Sequence, residues 1–282
     1  MKIAVASGKG GTGKTTVATN LARIIPGPVA FLDCDVEEPN AHLFLKPEME
    51  RAENVSVPVP RVDAEKCDLC GKCGEICRFS AITKAGNKVL TFPDLCHGCG
   101  GCAMVCPTGA ITEVPRVVGV VEHGKAGDII FRQGRLRIGE AMSPPLIKQV
   151  RSYTAGGGGV TIIDAPPGSS CPVIEAVEDA DLVLLVTEPT PFGLNDLEIA
   201  VETMRAIGLE HGIVINRAGS GDDRVYRYAK RAGVPLFAEI PDVRAAAEAY
   251  SRGEMLVDAV PGMREAFMDL WLTIRKRASQ AA

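Results

Sequence analysis

The sequence reads Gly8-Lys9-Gly10-Gly11-Thr12-Gly13-Lys14-Thr15-Thr16, directly after an apolar run at residues 2–7 and before helical apolar spacing over residues 14–25. It matches the pattern G-x-x-x-x-G-K-[ST], and a strand before it and a helix after it are the context that the pattern requires. Glycines let the backbone curl so that successive N–H groups point at phosphate oxygens, while the helix N-terminus adds partial positive charge. The stretch therefore predicts a site for nucleotide phosphates.

Apolar, β-branched runs continue along the chain and alternate with helical patterns. The runs lie at residues 29–32, 160–163, 182–186 and 213–215, and the helical patterns include 194–207 and 222–232. Such alternation predicts an α/β fold with a doubly wound, mostly parallel sheet. The sequence GDIIFRQGRLRIG over residues 127–139 predicts a hairpin, with Gln133 and Gly134 in its turn.

The general chemistry of phosphate loops gives expected roles to two polar residues of this glycine-rich loop. Lys14 is expected to reach the β and γ phosphates, and the Thr15 hydroxyl is expected to bind Mg²⁺. Asp164, which closes the strand at residues 160–163, supplies the second oxygen contact that the ion needs. The four glycines at 156–159 are an alternative candidate for a phosphate loop. No lysine or hydroxyl follows them at a helix start, and glycines without such residues are more typical of a turn.

Lys9 is an extra lysine that a generic phosphate loop does not need. With it, KGGTGKTT resembles the deviant Walker A motif of the MinD, ParA and Mrp ATPases, to which the nitrogenase iron protein is also similar. The resemblance implies ATP hydrolysis and an ATP-dependent dimer in which Lys9 reaches the phosphates bound by the partner. That dimer would be a homodimer or a heterodimer with a related ATPase.

Other motifs extend the resemblance to the remaining parts of the chain outside the cysteine-rich region. Asp35, in DCDVEEPN, would orient the attacking water, although a helix cap or a solvated loop residue is the alternative. Asp164, in DAPPG, would hold the metal through water, and the Gly168 amide would sense the γ phosphate. Asn216 and Arg217 would contact adenine.

An ATP-dependent amide-forming enzyme similar to the cobyrinic acid diamide synthases is the alternative within this class. Those enzymes carry a glutamine-hydrolysing domain with a cysteine nucleophile and a histidine base. The sequence offers no domain-sized segment for it. We therefore favour the ATPase interpretation.

Eight of the ten cysteines form two C-x-x-C-x-x-C-x-x-x-C runs. This spacing is the ligand pattern of bacterial ferredoxins with two [4Fe-4S] clusters, in which the fourth cysteine of each run binds the other cluster. The expected ligand sets are Cys67, Cys70, Cys73 and Cys106 for the first cluster, and Cys96, Cys99, Cys102 and Cys77 for the second. Zinc is the alternative. Pro107 favours the ferredoxin pattern, whereas Arg78 stands where the first run would have proline.

The cysteine runs divide the chain into two expected domains. Residues 61–114 form an inserted, small α+β ferredoxin-like domain, and residues 1–60 and 115–282 form the P-loop ATPase domain. His97 is expected to be an exposed loop residue, and Cys34 a small buried one. Cys171 lies seven positions after Asp164, the offset of a bridging-cluster ligand in the nitrogenase iron protein. A buried or redox-sensitive thiol is the alternative for Cys171.

Composition argues against some classes of partner and favours one cellular compartment. The net charge of −4 provides no basic field for a nucleic acid backbone, so no nucleic acid partner is expected. No apolar run approaches the length of a membrane span, and dense cysteine runs outside a short secreted chain favour the reducing cytoplasm. An apolar stripe near the C-terminus predicts a packed helix, with membrane binding as the alternative; it comprises Met263, Phe267, Leu270, Trp271 and Ile274.

Together these features predict an ATP-hydrolysing iron-sulfur protein. Its cofactors would be ATP, Mg²⁺ and two [4Fe-4S] clusters, and its partner a redox or metallocluster protein. Nucleotide-dependent switch and dimer changes would control electron transfer or metal-cluster assembly. The alternatives are an iron-sulfur cluster scaffold or carrier, and a MinD-like positioning ATPase with structural clusters.

Overall fold

A nine-stranded sheet is the largest element of the computed structural model, which describes residues 1–281 and their side chains through residue 279. Residue 282, the end of the expected ATPase domain, lies outside the described residues. The strands are β1 Lys2–Ala6, β2 Val29–Asp33, β3 Glu48–Val62, β4 Ile82–Ala85, β5 Lys88–Thr91, β6 Ile111–Ala126, β7 Ile129–Leu136, β8 Val160–Asp164, β9 Leu182–Thr187, β10 His211–Ala218 and β11 Leu236–Pro241.

Helices follow most of the strands of this sheet. They are α1 Lys14–Ile24, α2 His42–Leu45, α3 Lys72–Ile76, α4 Gly101–Met104, α5 Pro144–Arg151, α6 Cys171–Val177, α7 Pro191–Ala206, α8 Arg224–Ala232, α9 Arg244–Ser251, α10 Leu256–Ala259 and α11 Met263–Ala281. A 3₁₀ turn covers Pro93–Leu95.

The strand order in the large sheet is β11-β10-β9-β1-β8-β2-β7-β6-β3. Every pairing from β11 to β7 is parallel. All residues of β2 and β9 are buried, as expected for strands covered on both faces. The predicted α/β fold with a mostly parallel sheet is confirmed.

The predicted hairpin at residues 127–139 is wrong. Gln133 and Gly134 lie inside β7, which pairs in parallel with β2, and the turn lies earlier, between β6 and β7. Gly127 supplies the positive φ of +58° that a tight turn needs. The pairing with β2 places Gln133 opposite Asp33 at the carboxyl end of that strand.

The C-terminal helix α11 packs against α1, α10 and β11. Its apolar stripe is almost fully buried, from 0% exposure at Ile274 to 6% at Trp271. The predicted packed helix is confirmed, and the membrane-binding alternative is wrong because the stripe belongs to the core. Among the described residues, no helix combines the length and apolar character that crossing a bilayer requires.

The chain divides into two compact units. The first comprises residues 1–52, 121–135 and the chain from Ile147 onward, and it contains β1, β2 and β8 to β11 with their helices. The second comprises Glu53–Val120 and Leu136–Leu146. The expected insert, residues 61–114, falls within the second unit, which also holds the antiparallel pair β4 and β5.

Candidate functional site

The glycine-rich loop of the first unit connects β1 to α1. Gly11 and Gly13 have φ values of +81° and +86°, which favour glycine. A Cβ at Gly13 would lie 2.1 Å from the Asn216 amide nitrogen, and one at Gly8 would lie 2.2 Å from the Asp196 carbonyl oxygen. The loop is therefore in close contact with its neighbours at both ends.

A cavity of about 410 Å³ opens beside this loop, within the size range of small-molecule sites. Nine of the residues predicted for nucleotide binding or hydrolysis line it: Gly10, Gly11, Gly13, Lys14, Thr15, Thr16, Asp35, Asn216 and Arg217. The residues come from the loop after β1, from α1, from the loop after β2 and from β10. The carboxyl ends of the parallel strands thus meet at one edge of the sheet. In open α/β sheets, ligands bind at this edge.

The other predicted residues of this site lie around the cavity rather than in its wall. Gly8 packs against Asp196, and Gly168, with φ of +101°, donates its N–H to the Ser7 carbonyl oxygen at 3.0 Å. Thr12 is buried, and its carbonyl oxygen accepts the Asn216 amide at 2.8 Å. The side chain of Lys9 is half-buried, and Asp164 is fully buried at the end of β8.

Lys14 joins two carboxylates at the floor of the cavity. Its ammonium lies 3.0 Å from Asp164 Oδ1 and 3.5 Å from Asp35 Oδ2. Burial opposes the charge of Lys14, but the two carboxylates raise its pKa overall. Burial raises the pKa of Asp35, and the ammonium of Lys14 limits that rise.

Two buried oxygens at this place have no hydrogen-bond partner among the described residues: Asp164 Oδ2 and the Thr12 hydroxyl. A buried carboxylate oxygen without a partner is costly unless something compensates it. Carboxylate and hydroxyl oxygens are the donors that Mg²⁺ takes beside nucleotide phosphates. The unpartnered oxygen of Asp164 therefore fits a magnesium ion, and Thr15, which lines the cavity, offers the hydroxyl that is expected as its second ligand.

Asp33 is a site residue that the sequence reasoning missed. Asp33 is the last residue of β2, where it pairs in register with Asp164 of β8, and its side chain is fully buried. Its oxygens accept the backbone N–H of Asp35 at 3.2 Å and of Ala41 at 3.1 Å. Burial, reinforced by Asp164, raises the pKa of Asp33 well above its usual range. Its position after an apolar strand, like that of Asp164, was the available signal.

Helix α9 and its N-cap also line the cavity, and the sequence reasoning missed them. The residues are Val243, Ala246 and Tyr250, and the Tyr250 side chain is 49% exposed. The two residues expected at the base are fixed by neighbours: the Asn216 amide binds the loop carbonyl, and Arg217 pairs with Glu188 at 2.6 Å. No motif marks the residues of α9 and its N-cap in the sequence, because they are two small or apolar residues and one tyrosine outside any recognised pattern.

In the second unit, the eight cysteines surround two separate cavities. One is lined by Cys67, Cys70, Cys73 and Cys106. The other is lined by Cys77, Cys96, Cys99 and Cys102. Each cavity thus combines three cysteines of one run with the fourth of the other, the arrangement of a two-cluster ferredoxin.

The two cysteine runs have the same backbone geometry. Leu69, Gly71 and Ser80 have positive φ, and so do the residues 29 positions later in each case, which are all glycine: Gly98, Gly100 and Gly109. Leu69 and Ser80 take up a conformation that non-glycine residues rarely adopt. The 29-residue repeat is therefore present in the backbone as well as in the sequence.

Backbone amides point at the fourth cysteine of each run. Ala81 donates its N–H to Cys77 Sγ, and Ala110 donates its N–H to Cys106 Sγ, both at 3.3 Å. Burial acts against ionisation of these thiols, but the surrounding N–H groups, and for Cys106 first the Thr108 side chain, hold the pKa of Cys77 and of Cys106 below the usual value. Such hydrogen bonds favour the thiolate, which is the form that binds metals.

Within residues 1–281, no three or more His, Cys, Asp or Glu side chains are grouped so as to hold a single metal ion. A cubane differs from a single ion because each thiolate binds a different iron atom. Its four sulfurs therefore surround a volume rather than converge on one point, and the two four-cysteine cavities fit that requirement.

The remaining candidate residues lie outside these ligand sets. His97 is exposed and stacks on Phe79, with ring centroids 3.6 Å apart, beside the second cavity. Cys34 is fully buried, and burial raises its pKa well above the usual value. Cys171 is exposed at the first residue of α6.

Comparison with known proteins finds relatives along the whole chain. An iron-sulfur cluster carrier protein of Aquifex aeolicus is 25% identical, covering 99% of this chain and 67% of that protein. The septum site-determining protein MinD of Pyrococcus horikoshii, solved with Mg-ADP, shares the fold, with a TM-score of 0.61 at 21% identity over 100% of this chain and 98% of that one.

An uncharacterized protein of Methanocaldococcus jannaschii is 37% identical over 251 residues, which are 87% of this chain and 88% of the relative. The family described as "CobQ/CobB/MinD/ParA nucleotide binding domain" matches residues 3–257. That match begins in β1 and includes the glycine-rich loop, Asp35, Asp164 and Asn216. The chain therefore belongs to the CobQ/CobB/MinD/ParA family of nucleotide-binding proteins.

Proposed function

We propose that this chain binds and hydrolyses ATP with Mg²⁺ in its first unit and holds two [4Fe-4S] clusters in its second unit. The observation that carries the cluster proposal is the pair of cavities, each lined by four cysteines drawn from both runs. Membership of a nucleotide-binding family and the buried lysine-carboxylate group support the ATPase proposal. Nucleotide state would then control what the clusters deliver.

The residues of the nucleotide cavity divide the work of hydrolysis. Lys14 would exchange its carboxylate partners for phosphate oxygens, which an ammonium binds equally well. Asp164 and Thr15 would hold the magnesium ion, which neutralises phosphate charge. Burial raises the pKa of Asp35, which makes its carboxylate a stronger proton acceptor than an ordinary aspartate. Asp35 would orient the attacking water.

Lys9 would complete the site of a second subunit. Lys9 lies in the glycine-rich loop that precedes Lys14. Its side chain is half-buried and does not line the cavity of its own subunit. We propose that it contacts the phosphates bound by the partner in an ATP-dependent dimer. The partner is either a second copy or a related ATPase.

Electron transfer is the output that the cysteine geometry favours. Ferredoxin-type cavities hold their clusters as resident redox groups, with potentials set by nearby charges and hydrogen bonds to sulfur. A carrier that passes a cluster to an apo protein is the second candidate. The similarity to the Aquifex aeolicus iron-sulfur cluster carrier protein favours it.

Anaerobic purification with assays for iron, sulfide and EPR signal, with and without Mg-ATP, tests the proposal. About eight irons per chain and a reducible EPR signal that changes with Mg-ATP are expected. Colourless protein containing zinc would rule out the cluster proposal, and a signal indifferent to Mg-ATP would rule out the coupling. Release of iron to an apo acceptor on ATP addition would select the carrier function over electron transfer.

A further inference from the structure

The nucleotide cavity is continuous from the loop after β2 to helix α9. Asp35 and Asn40 line it, and so do Ala246 and Tyr250. Phosphates belong beside Lys14, and the ring of Tyr250 offers a base an aromatic surface in the same cavity. A single nucleotide bound here would therefore have its phosphates beside Lys14 and its base within the cavity that Tyr250 lines.

The loop that carries Asp35 is held at both of its ends by one side chain. Asp33 accepts the N–H of Asp35 and the N–H of Ala41, which directly precedes α2. Asp35 therefore moves with the start of α2. A four-residue helix has little stability of its own, so its position depends on what packs against it.

Helix α2 packs against α9 and the turn that follows α9. Phe44, only 8% exposed, contacts the Tyr250 ring at 5.0 Å between centroids and 38° between planes. The turn after α9 also approaches closely, since a Cβ at Gly253 would lie 3.1 Å from the Leu43 carbonyl oxygen. Tyr250 thus faces the cavity and supports α2 at once.

We propose that Tyr250 is a positioning residue that couples the nucleotide base to Asp35 through Phe44 and the start of α2. A base that packs on the half-exposed Tyr250 ring fixes that ring, and the fixed ring holds α2 and the Asp35 loop in one arrangement. The base then accelerates hydrolysis in addition to tightening binding. This inference rests on the proposed ATP hydrolysis and names the part of the substrate that regulates it.

Steady-state hydrolysis by the full chain of ATP and of inorganic tripolyphosphate, which has the phosphates and no base, tests the coupling. The wild type should hydrolyse ATP with a higher kcat than tripolyphosphate. Tyr250→Ala should lower kcat for ATP by about tenfold, the scale of one aromatic contact, and leave tripolyphosphate unchanged. Tyr250→Phe, which keeps the ring, should restore the wild-type value.

Phe44 separates positioning from direct contact, because it supports α2 without lining the cavity. Phe44→Leu should lower kcat for ATP with KM unchanged. Leu43→Ala is the matched control on the same helix, since the Leu43 side chain is 54% exposed. It should leave both parameters unchanged.

Three results would overturn the inference. An effect of Tyr250→Ala on KM for ATP alone would reduce the residue to a binding contact. Equal losses with ATP and tripolyphosphate would make it merely structural. A wild type that hydrolyses neither compound would remove the proposed ATPase activity and this inference with it, whereas equal kcat for both would remove the inference alone.

Discussion

The Lys14 ammonium lies 3.0 Å from Oδ1 of Asp164, while Oδ2 of the same buried carboxylate has no hydrogen-bond partner among the described residues. One oxygen is thus compensated by the residue expected to bind phosphate, and the other remains available to a cation. The pair links the stability of the first unit to its ligand site.

Lys14→Met should therefore destabilise the first unit and abolish its response to nucleotide. Removing one partner of a buried ion pair costs about 3–5 kcal/mol, because a buried charge is left uncompensated. Urea unfolding followed by fluorescence of Trp271, the single tryptophan, reports on this unit. In the wild type Mg-ATP should raise the free energy of unfolding, and in the variant it should not.

Lys2→Met is the matched control for that substitution. The Lys2 and Asp179 side chains form an ion pair at 2.5 Å but are 32% and 43% exposed. Exposed pairs contribute at most about 1 kcal/mol, so this variant should remain close to the wild type and keep its response to Mg-ATP. A Lys14→Met protein that Mg-ATP still stabilises would contradict the assignment of Lys14.

Asp33 should make the first unit less stable as pH rises. Burial and Asp164 raise its pKa in the folded chain, so the folded chain binds a proton that the unfolded chain releases above about pH 3.9. Stability is therefore present below that pH and is lost as pH rises through the raised pKa. Asp33→Asn removes this loss, so the free energy of unfolding should fall less with pH than in the wild type.

Urea titrations of both proteins between pH 4 and pH 8, read at Trp271, measure the difference. The variant gives up one carboxylate hydrogen bond to the Asp35 or Ala41 amide, so the two curves should be closest or cross at high pH. Parallel curves over the whole range would show that Asp33 carries no raised pKa.

Paired cysteine variants test which four sulfurs belong together. If each fourth cysteine serves the other cavity, Cys67→Ser with Cys106→Ser removes ligands from one cluster only, leaving about four irons per chain. Cys67→Ser with Cys77→Ser then removes ligands from both clusters and leaves about none. Iron and sulfide assays on anaerobically reconstituted proteins give the answer, and the opposite ranking would assign each run to its own cluster.

The sequence predicted best those features that depend on local spacing. The glycine-rich loop and the cysteine runs lie within short segments, and their backbone geometry follows from the positions of glycine and cysteine. Thus the predicted strand at residues 2–7 and helix at 14–25 match β1 and α1 to within one residue at each end. The shared spacing of the two cysteine runs likewise corresponds to a shared backbone conformation, with positive φ at Leu69 and at Gly98.

Features that depend on long-range pairing were missed or wrong. Gln133-Gly134 resembles a turn locally, but pairing with β2 buries both residues in a parallel strand. The contact between Phe44 and Tyr250 joins segments far apart in the chain, and neither residue carries a motif. Asp33 could have been found, because it ends its strand as Asp164 does, but only the register of β2 with β8 gives it a role.

Gly8→Ala should abolish nucleotide binding, although Gly8 does not line the cavity. Its Cβ would lie 2.2 Å from the Asp196 carbonyl oxygen in α7, and a backbone atom cannot yield as a flexible side chain can. The loop must then move away from α7, and its N–H groups lose their alignment toward the phosphates. Gly156→Ala, in the other glycine-rich stretch, is the control, because its Cβ meets no atom within 4 Å. Titrations with a fluorescent ATP analogue should show wild-type affinity for Gly156→Ala and no binding for Gly8→Ala. Equal loss of binding in both variants would indicate that the glycines at 156–159 also contact the phosphates.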